Sequence, residues 1–298
     1  MNSAFKTSTK PSLACEIAAD RVMAGRIAET REALETCSSY ELAPGSVVPD
    51  LIENNLRQAD TVFHAIRDAL GSLSARSRDV IAVLPDAAVR VALLDFDQLP
   101  PKREEAEGVV RFRLKKSLPF DVDKARVSYH VQTSSSGVRV VAAVVLSSVL
   151  EDYEAAFRQA GYAPGVVLPS MLAALGAASA DRPTLVVKVD ALTTSIAILD
   201  QQQLLLFRTL ENTRGVTITG DQLAEEIYPS IVFFQDTYHL NIERIYVSGL
   251  SDTGGALAAL RTATGVEVTE LVSASQLGAS VGNVPRWRMA GVVGALLA

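Results

Sequence analysis

The stretch LVVKVDALTTSIAILDQQQLLLFRTL, residues 185–210, decides the fold. It holds three apolar runs, Leu185 to Val189, Ser195 to Leu199 and Leu204 to Leu210, joined by short connections at 190–194 and 200–203. Each run is too short for a helix and rich in Val, Ile and Leu, so the segment reads as a meander of three strands. A long helix follows. Thr219-Gly220-Asp221-Gln222 has capping-box spacing, and Leu223, Ile227, Ile231, Phe234 and Tyr238 trace one face. Ile245 to Ser248 then supplies a buried strand, a helix is expected over 256–262, and a final core helix is expected from Trp287.

The first half of the chain repeats this order. Strands are expected at Leu13 to Ile17, Val22 to Ala28 and Ser39 to Ala43. A helix then carries Ile52, Leu56, Ala59, Phe63, Ile66 and Leu70 on one stripe up to Gly71. Asp79 to Leu84 is a near-continuous apolar run, the pattern of a strand covered on both faces, and Pro85 closes it. The chain is therefore an α/β protein with a duplicated βββαβ unit. Residues 91–148 interrupt the first copy with an α+β subdomain made of a strand, a charged helix over 102–117 and two more strands. Pro119 stops that helix, because proline disfavours helical geometry in the residue before it. Turns are expected at Pro100-Pro101 and at Ser134-Ser135-Ser136-Gly137. The expected organisation is a first lobe at 1–90 and 149–180, the insert at 91–148 and a second lobe at 181–298 beginning with Asp181-Arg182-Pro183. Helices at Leu150 to Ala160 and Ser170 to Ala178 complete the first lobe.

Composition narrows the function classes. The 298 residues carry a net charge of −6, which argues against nucleic acid as a partner, since backbone binding relies on clustered Lys and Arg. Mean hydropathy is high at +0.21, yet no apolar run approaches the roughly 20 residues of a membrane-spanning helix. The opening residues contain Lys6, Lys10 and Pro11 but no apolar block, so no secretory signal is expected and the setting reads as cytoplasmic. Cys15 and Cys37 form no CxxC pair and are expected as reduced thiols, with Cys15 buried. Gly215 to Gly220 has the spacing of a P-loop, but Asp221 stands where Lys is needed. His64, His130 and His239 are scattered, and neither HExxH nor GxSxG occurs.

Several features in order carry a family resemblance. Leu99-Pro100 precedes the charged helix, Ser117-Leu118-Pro119-Phe120-Asp121 follows it, and Tyr129 lies on the next strand. Ala160-Gly161-Tyr162 stands before a Val-rich strand, Thr193-Thr194-Ser195-Ile196 opens a strand of the second copy, and Ile245-Tyr246-Val247-Ser248-Gly249 comes near the end. In these the chain resembles the type IV pilus assembly protein PilM, over most of its length. The resemblance implies an actin-like (ribonuclease H-like) fold and a cytoplasmic scaffold, peripheral to the inner membrane. It also implies binding to the tail of a PilN-like membrane protein and coupling towards a pilus motor ATPase. The cytoplasmic domain of the type II secretion L protein has a related fold and is the competing system.

Actin-like ATPases hold phosphates with two hairpins, each with an acid two positions before a glycine. Matched on Val22, the first hairpin has Glu16 at the acid and Ala18 at the glycine position. Matched on Thr193 and Thr194, the second has Lys188 and Asp190, and an alignment shifted by two still leaves Leu192 for the glycine. The adenine-side glycine pair reads Gly249-Leu250. If a nucleotide were bound, Glu16, Ala18, Lys188, Asp190, Thr193, Thr194 and Gly249 would face it. With these groups exchanged, no ATP cofactor and no ATPase activity are expected, an active ATPase or kinase being the alternative. Lys188→Asp with Asp190→Gly would then restore affinity. In the insert, Arg111, Arg113 and Lys115 are the expected partner-binding cations, with acids preceding bases along the helix as its dipole favours.

Overall fold

The computed structural model describes residues 10–134 and 137–298. The first lobe opens with β1 (Leu13–Ile17), β2 (Arg21–Ile27), β3 (Leu34–Glu41), α1 (Ala59–Gly71) and β4 (Asp79–Leu84). The insert follows as β5 (Arg90–Phe96), α2 (Arg103–Leu114), β6 (Ala125–Ser134) and β7 (Gly137–Leu146). The chain returns to the first lobe with α3 (Ser147–Gln159), β8 (Ala163–Pro169) and α4 (Ser170–Ala174). The second lobe runs β9 (Thr184–Val189), β10 (Thr193–Asp200), β11 (Gln203–Glu211), α5 (Gly220–Tyr238), β12 (Arg244–Ser248), α6 (Thr253–Thr264) and β13 (Glu267–Glu270). The last helix is α7 (Ala290–Leu297).

The duplication is exact in topology. One sheet has the order β3-β2-β1-β4-β8 and the other β11-β10-β9-β12-β13, while the insert has its own sheet, β5-β7-β6. Strand alternation then builds layers. Leu13, Cys15 and Ile17 of β1 face a core with α1 and α3, and Ala14 faces the opposite way into a core with α4 and α7. In β9, Leu185, Val187 and Val189 face α5 and α6, and Val186 shares the α4/α7 layer with Ala14. The two sheets thus clasp a common central layer, in which α7 is buried along nearly its whole length. Val292, Val293 and Leu296 there each contribute on the order of 1.5–3 kcal/mol of burial. Glu16 and Lys188 have the parity of Ala14 and Val186, so both point into this layer.

Capping explains the helix ends. The Thr219 hydroxyl accepts from the Gln222 amide at 3.3 Å and the Gln222 side chain accepts from the Thr219 amide at 3.1 Å, so the expected capping box starts α5. The helix expected from Ile52 instead begins at Ala59. Asp50 accepts the amides of Ile52 and Glu53, and Asn55 bonds the backbone of Asp50 and Glu53, giving this segment a turn that competes with helix. Ile52 is left exposed. The third strand starts at Leu34 rather than Ser39, and β13 was not expected. The serine-rich turn lies partly outside the described residues. Cys15 is buried and both thiols are free.

Candidate functional site

Ligand sites in open α/β sheets sit at the carboxyl ends of the strands. Here the ends of β1, β4 and β9 converge beneath two equivalent hairpin turns. Ile17 lies opposite Val22 and Val189 opposite Thr194. The turns are closed by Ala18 N to Arg21 O at 2.9 Å and Asp190 N to Thr193 O at 2.7 Å. The duplication therefore superposes Glu16 on Lys188 and Ala18 on Asp190, which selects the first of the two sequence alignments.

Those superposed residues meet across the lobes. The Lys188 ammonium lies 3.3 Å from Glu16 Oε1 and also pairs with Asp190, both Glu16 and Lys188 being only 2% exposed. Arg21 reaches Asp190 at 3.4 Å and Asp20 at 2.8 Å. The Ser170 hydroxyl donates to Glu16 Oε1. Asp86, just beyond β4, accepts from the Met171 amide at 2.8 Å and from the Ser195 hydroxyl at 2.7 Å, tying α4 and β10 together. The buried carboxylates Glu16 and Asp86 and the half-buried Asp190 thus face two buried cations.

The electrostatics follow from this count. Burial pushes the Asp86 carboxyl up to about 6, against the pull of Lys188 and its two hydrogen bonds. Burial alone would lower the Lys188 ammonium, but Asp190, Glu16 and Asp86 outweigh it and hold it above its ordinary value. Burial would likewise raise Asp190, and Lys188 and Arg21 keep it lowered. Breaking one partner of such a buried set costs about 3–5 kcal/mol.

These residues do not fit a Mg²⁺-nucleotide. The pocket lined by Glu16, Ala18, Ser170, Asp190 and Thr193 has a volume of about 10 Å³, room for about one water. An ammonium occupies the second acid position, and no cluster of metal-ligating side chains occurs among the described residues. The exchange Lys188→Asp with Asp190→Gly would also remove the cation paired with Glu16 and the carboxylate paired with Arg21. Thr193 lines this cavity and Thr194 is buried beside it. Gly249 lies against the Val189 carbonyl, at the end of β9. The sequence reading missed Arg21, Asp86, Ser170 and Ser195. The available signal was position, since Asp86 directly follows an apolar strand closed by Pro85.

A larger groove of about 860 Å³ opens alongside, where the first lobe, the insert and the second lobe meet. Pro49 to Leu51, Val89 to Val91 and Phe207 to Thr213 line it. Residues 207–211 of β11, the edge strand of its sheet, form one wall of it. Arg111, Arg113 and Lys115 do not line it. Arg111 bonds Glu107 at 2.9 Å and the Val122 carbonyl at 3.1 Å, Arg113 lies over the Phe96 ring, and Lys115 is exposed.

No protein-family model matches this sequence, and no curated protein matches it. Solved structures do. A PilM-PilN type IV pilus biogenesis complex is similar with a TM-score of 0.78 and 20% identity, over 96% of this chain and 97% of that one. A Bacteroides thetaiotaomicron protein with actin-like ATPase fold and unknown function gives 0.55 at 11% identity, over 89% and 91%. The cytoplasmic domain of EpsL, an inner-membrane component of the Vibrio cholerae type II secretion system, gives 0.52 at 12% identity, over 88% and 98%. The chain has the actin-like ATPase fold, and its resemblance to PilM extends in structure along almost its whole length.

Proposed function

We propose that this chain is a cytoplasmic adaptor of the type IV pilus inner-membrane assembly platform that takes an extended tail of a PilN-like membrane protein and does not turn over ATP. The observation that carries the reading is Lys188, an ammonium buried where an actin-like ATPase needs a metal-binding carboxylate. An internal ion network joins the lobes in place of a ligand. The partner follows from likeness to PilM in a PilM-PilN complex, stronger than the likeness to the secretion protein at 0.78 against 0.52. The membrane-spanning part would belong to that partner, since no helix among the described residues is long and apolar enough to cross a membrane. Coupling to a motor ATPase belongs to the same reading.

The groove supplies the chemistry for an extended peptide. An edge strand can offer main-chain hydrogen bonds along 207–211, and alternate side chains of the peptide can enter pockets lined by Leu51, Phe207 and Leu210. In fluorescence anisotropy, an N-terminal peptide of a PilN-like protein should bind. Leu51→Asp with Arg90→Glu, both groove-lining, should weaken it roughly tenfold or more, which corresponds to about 1.4 kcal/mol. Tight binding untouched by these changes would place the tail elsewhere. Calorimetry with Mg-ATP should show no binding heat and no turnover. ATP turnover abolished by Glu16→Ala would instead establish the enzyme reading.

A further inference from the structure

The outward face of α2 carries an aromatic side chain that no described residue covers. Its buried stripe is Ala106, Val110 and Leu114. Phe112 points the other way and is 70% exposed, more than any other large apolar residue described. Val109, three positions earlier, is 38% exposed. One turn before Phe112, Gly108 has open space where a side chain would stand. A mid-helix glycine costs about 1 kcal/mol relative to alanine, and no packing among the described residues recovers it.

Cations rim this apolar spot. Lys115 and Lys116 are exposed, with no acidic partner among the described residues, and Arg113 is exposed beside the Phe96 ring. The acids of α2 are at its other end, where Glu105 pairs with Lys102 at 3.0 Å and Glu107 with Arg111 at 2.9 Å. Beyond Pro119, the Asp121 carboxylate accepts the Asp123 amide, and Asp123 is exposed. No α2 residue lines the cleft or the groove, so Phe112 stands apart from both.

We infer that this face of α2 is a membrane-contact surface, on which Phe112 enters the headgroup boundary of an anionic phospholipid bilayer while Arg113, Lys115 and Lys116 pair with the phosphates. An exposed aromatic flanked by exposed cations complements an anionic bilayer surface, because lysine stems lie along apolar surface while their ammonium groups reach outward to phosphates. The inference rests on the adaptor reading only for its setting beside a membrane.

The test uses the full chain with vesicles of phosphatidylethanolamine and phosphatidylglycerol, against vesicles of phosphatidylcholine alone. Sedimentation should show binding to the anionic vesicles only, falling as salt rises. Lys115→Glu with Lys116→Glu should weaken binding at least about tenfold, given roughly 1 kcal/mol per basic residue near such a surface. Phe112→Ser should weaken it at low and high salt alike, and Phe112→Trp should restore it with blue-shifted emission over the Trp287 baseline. All these side chains are exposed, so the variants should keep the thermal melt of the parent. Absent binding, or binding indifferent to Phe112, overturns the inference. Vesicles that fail while an acidic amphipathic peptide binds in a Phe112-dependent way assign the patch to a protein partner, again against it. The groove experiment is read separately, since a PilN-like tail can bind or fail whatever α2 does.

Discussion

Lys188→Met is expected to lower the unfolding free energy by about 3–5 kcal/mol near neutral pH, and by less near pH 5. The substitution keeps the length of the side chain and removes the charge, leaving buried Glu16 and Asp86 and half-buried Asp190 with only Arg21. The pH dependence follows from Asp86. Its folded value of about 6 lies above the unfolded one, so the native state binds the proton more tightly. Stability therefore falls as pH rises from about 4 through about 6 and is flat above. Lys188 is a force holding Asp86 down, so its loss extends that decline to higher pH. Asp190 acts in a separate window, because its lowered value contributes stability that is lost only as pH falls below about 4. The raised value of Lys188 matters only at alkaline pH, above its unfolded value near 10.5. Urea titrations followed by the single Trp, at about pH 5 and pH 8, measure the difference. A loss below about 1 kcal/mol at the higher pH would mean the network is not dry. Adding Glu16→Gln to Lys188→Met should recover part of the loss, as a coupled pair requires.

Much of this architecture was legible because it depends on local pattern. The three apolar runs after Asp181 and their counterparts after Lys10 became strands, and Thr219 with Gln222 marked the start of α5 correctly. Local chemistry also misled. Ile52 and Leu56 have helical spacing, but Asp50 and Asn55 hold their backbone in a turn. For the site, the exchanged charges at Glu16 and Lys188 could be seen in the sequence, while their pairing could not. They are far apart in the chain, and only the shared layer of α4 and α7 sets the two strand ends face to face. Asp86 and Ser195 stayed hidden for the same reason, each being an ordinary polar residue until the lobes close.

Gly249→Ala is expected to cost more than about 3 kcal/mol, and Gly265→Ala only about 1–2. Both glycines have positive φ, +92° and +69°. The backbone penalty for a side chain is therefore similar, and the difference between them is space. A Cβ at Gly265 meets nothing within 4 Å, whereas one at Gly249 would stand 1.7 Å from the Val189 carbonyl oxygen, which is backbone and has no rotamer to yield. Gly249 is also pinned from its other side, since its amide donates to the Trp287 carbonyl at 2.8 Å. Either the end of β12 or the end of β9 must move, and Val189 lies between Lys188 and Asp190. The alanine variant should accordingly loosen the ion network as well as the strand ends, and combining it with Lys188→Met should cost less than the sum of the two. In a nucleotide-binding relative a glycine here could be kept for close approach to a base. Equal losses for the two alanine variants by urea denaturation would favour that ligand-based reason here too, and a large excess at Gly249 shows that packing alone demands it.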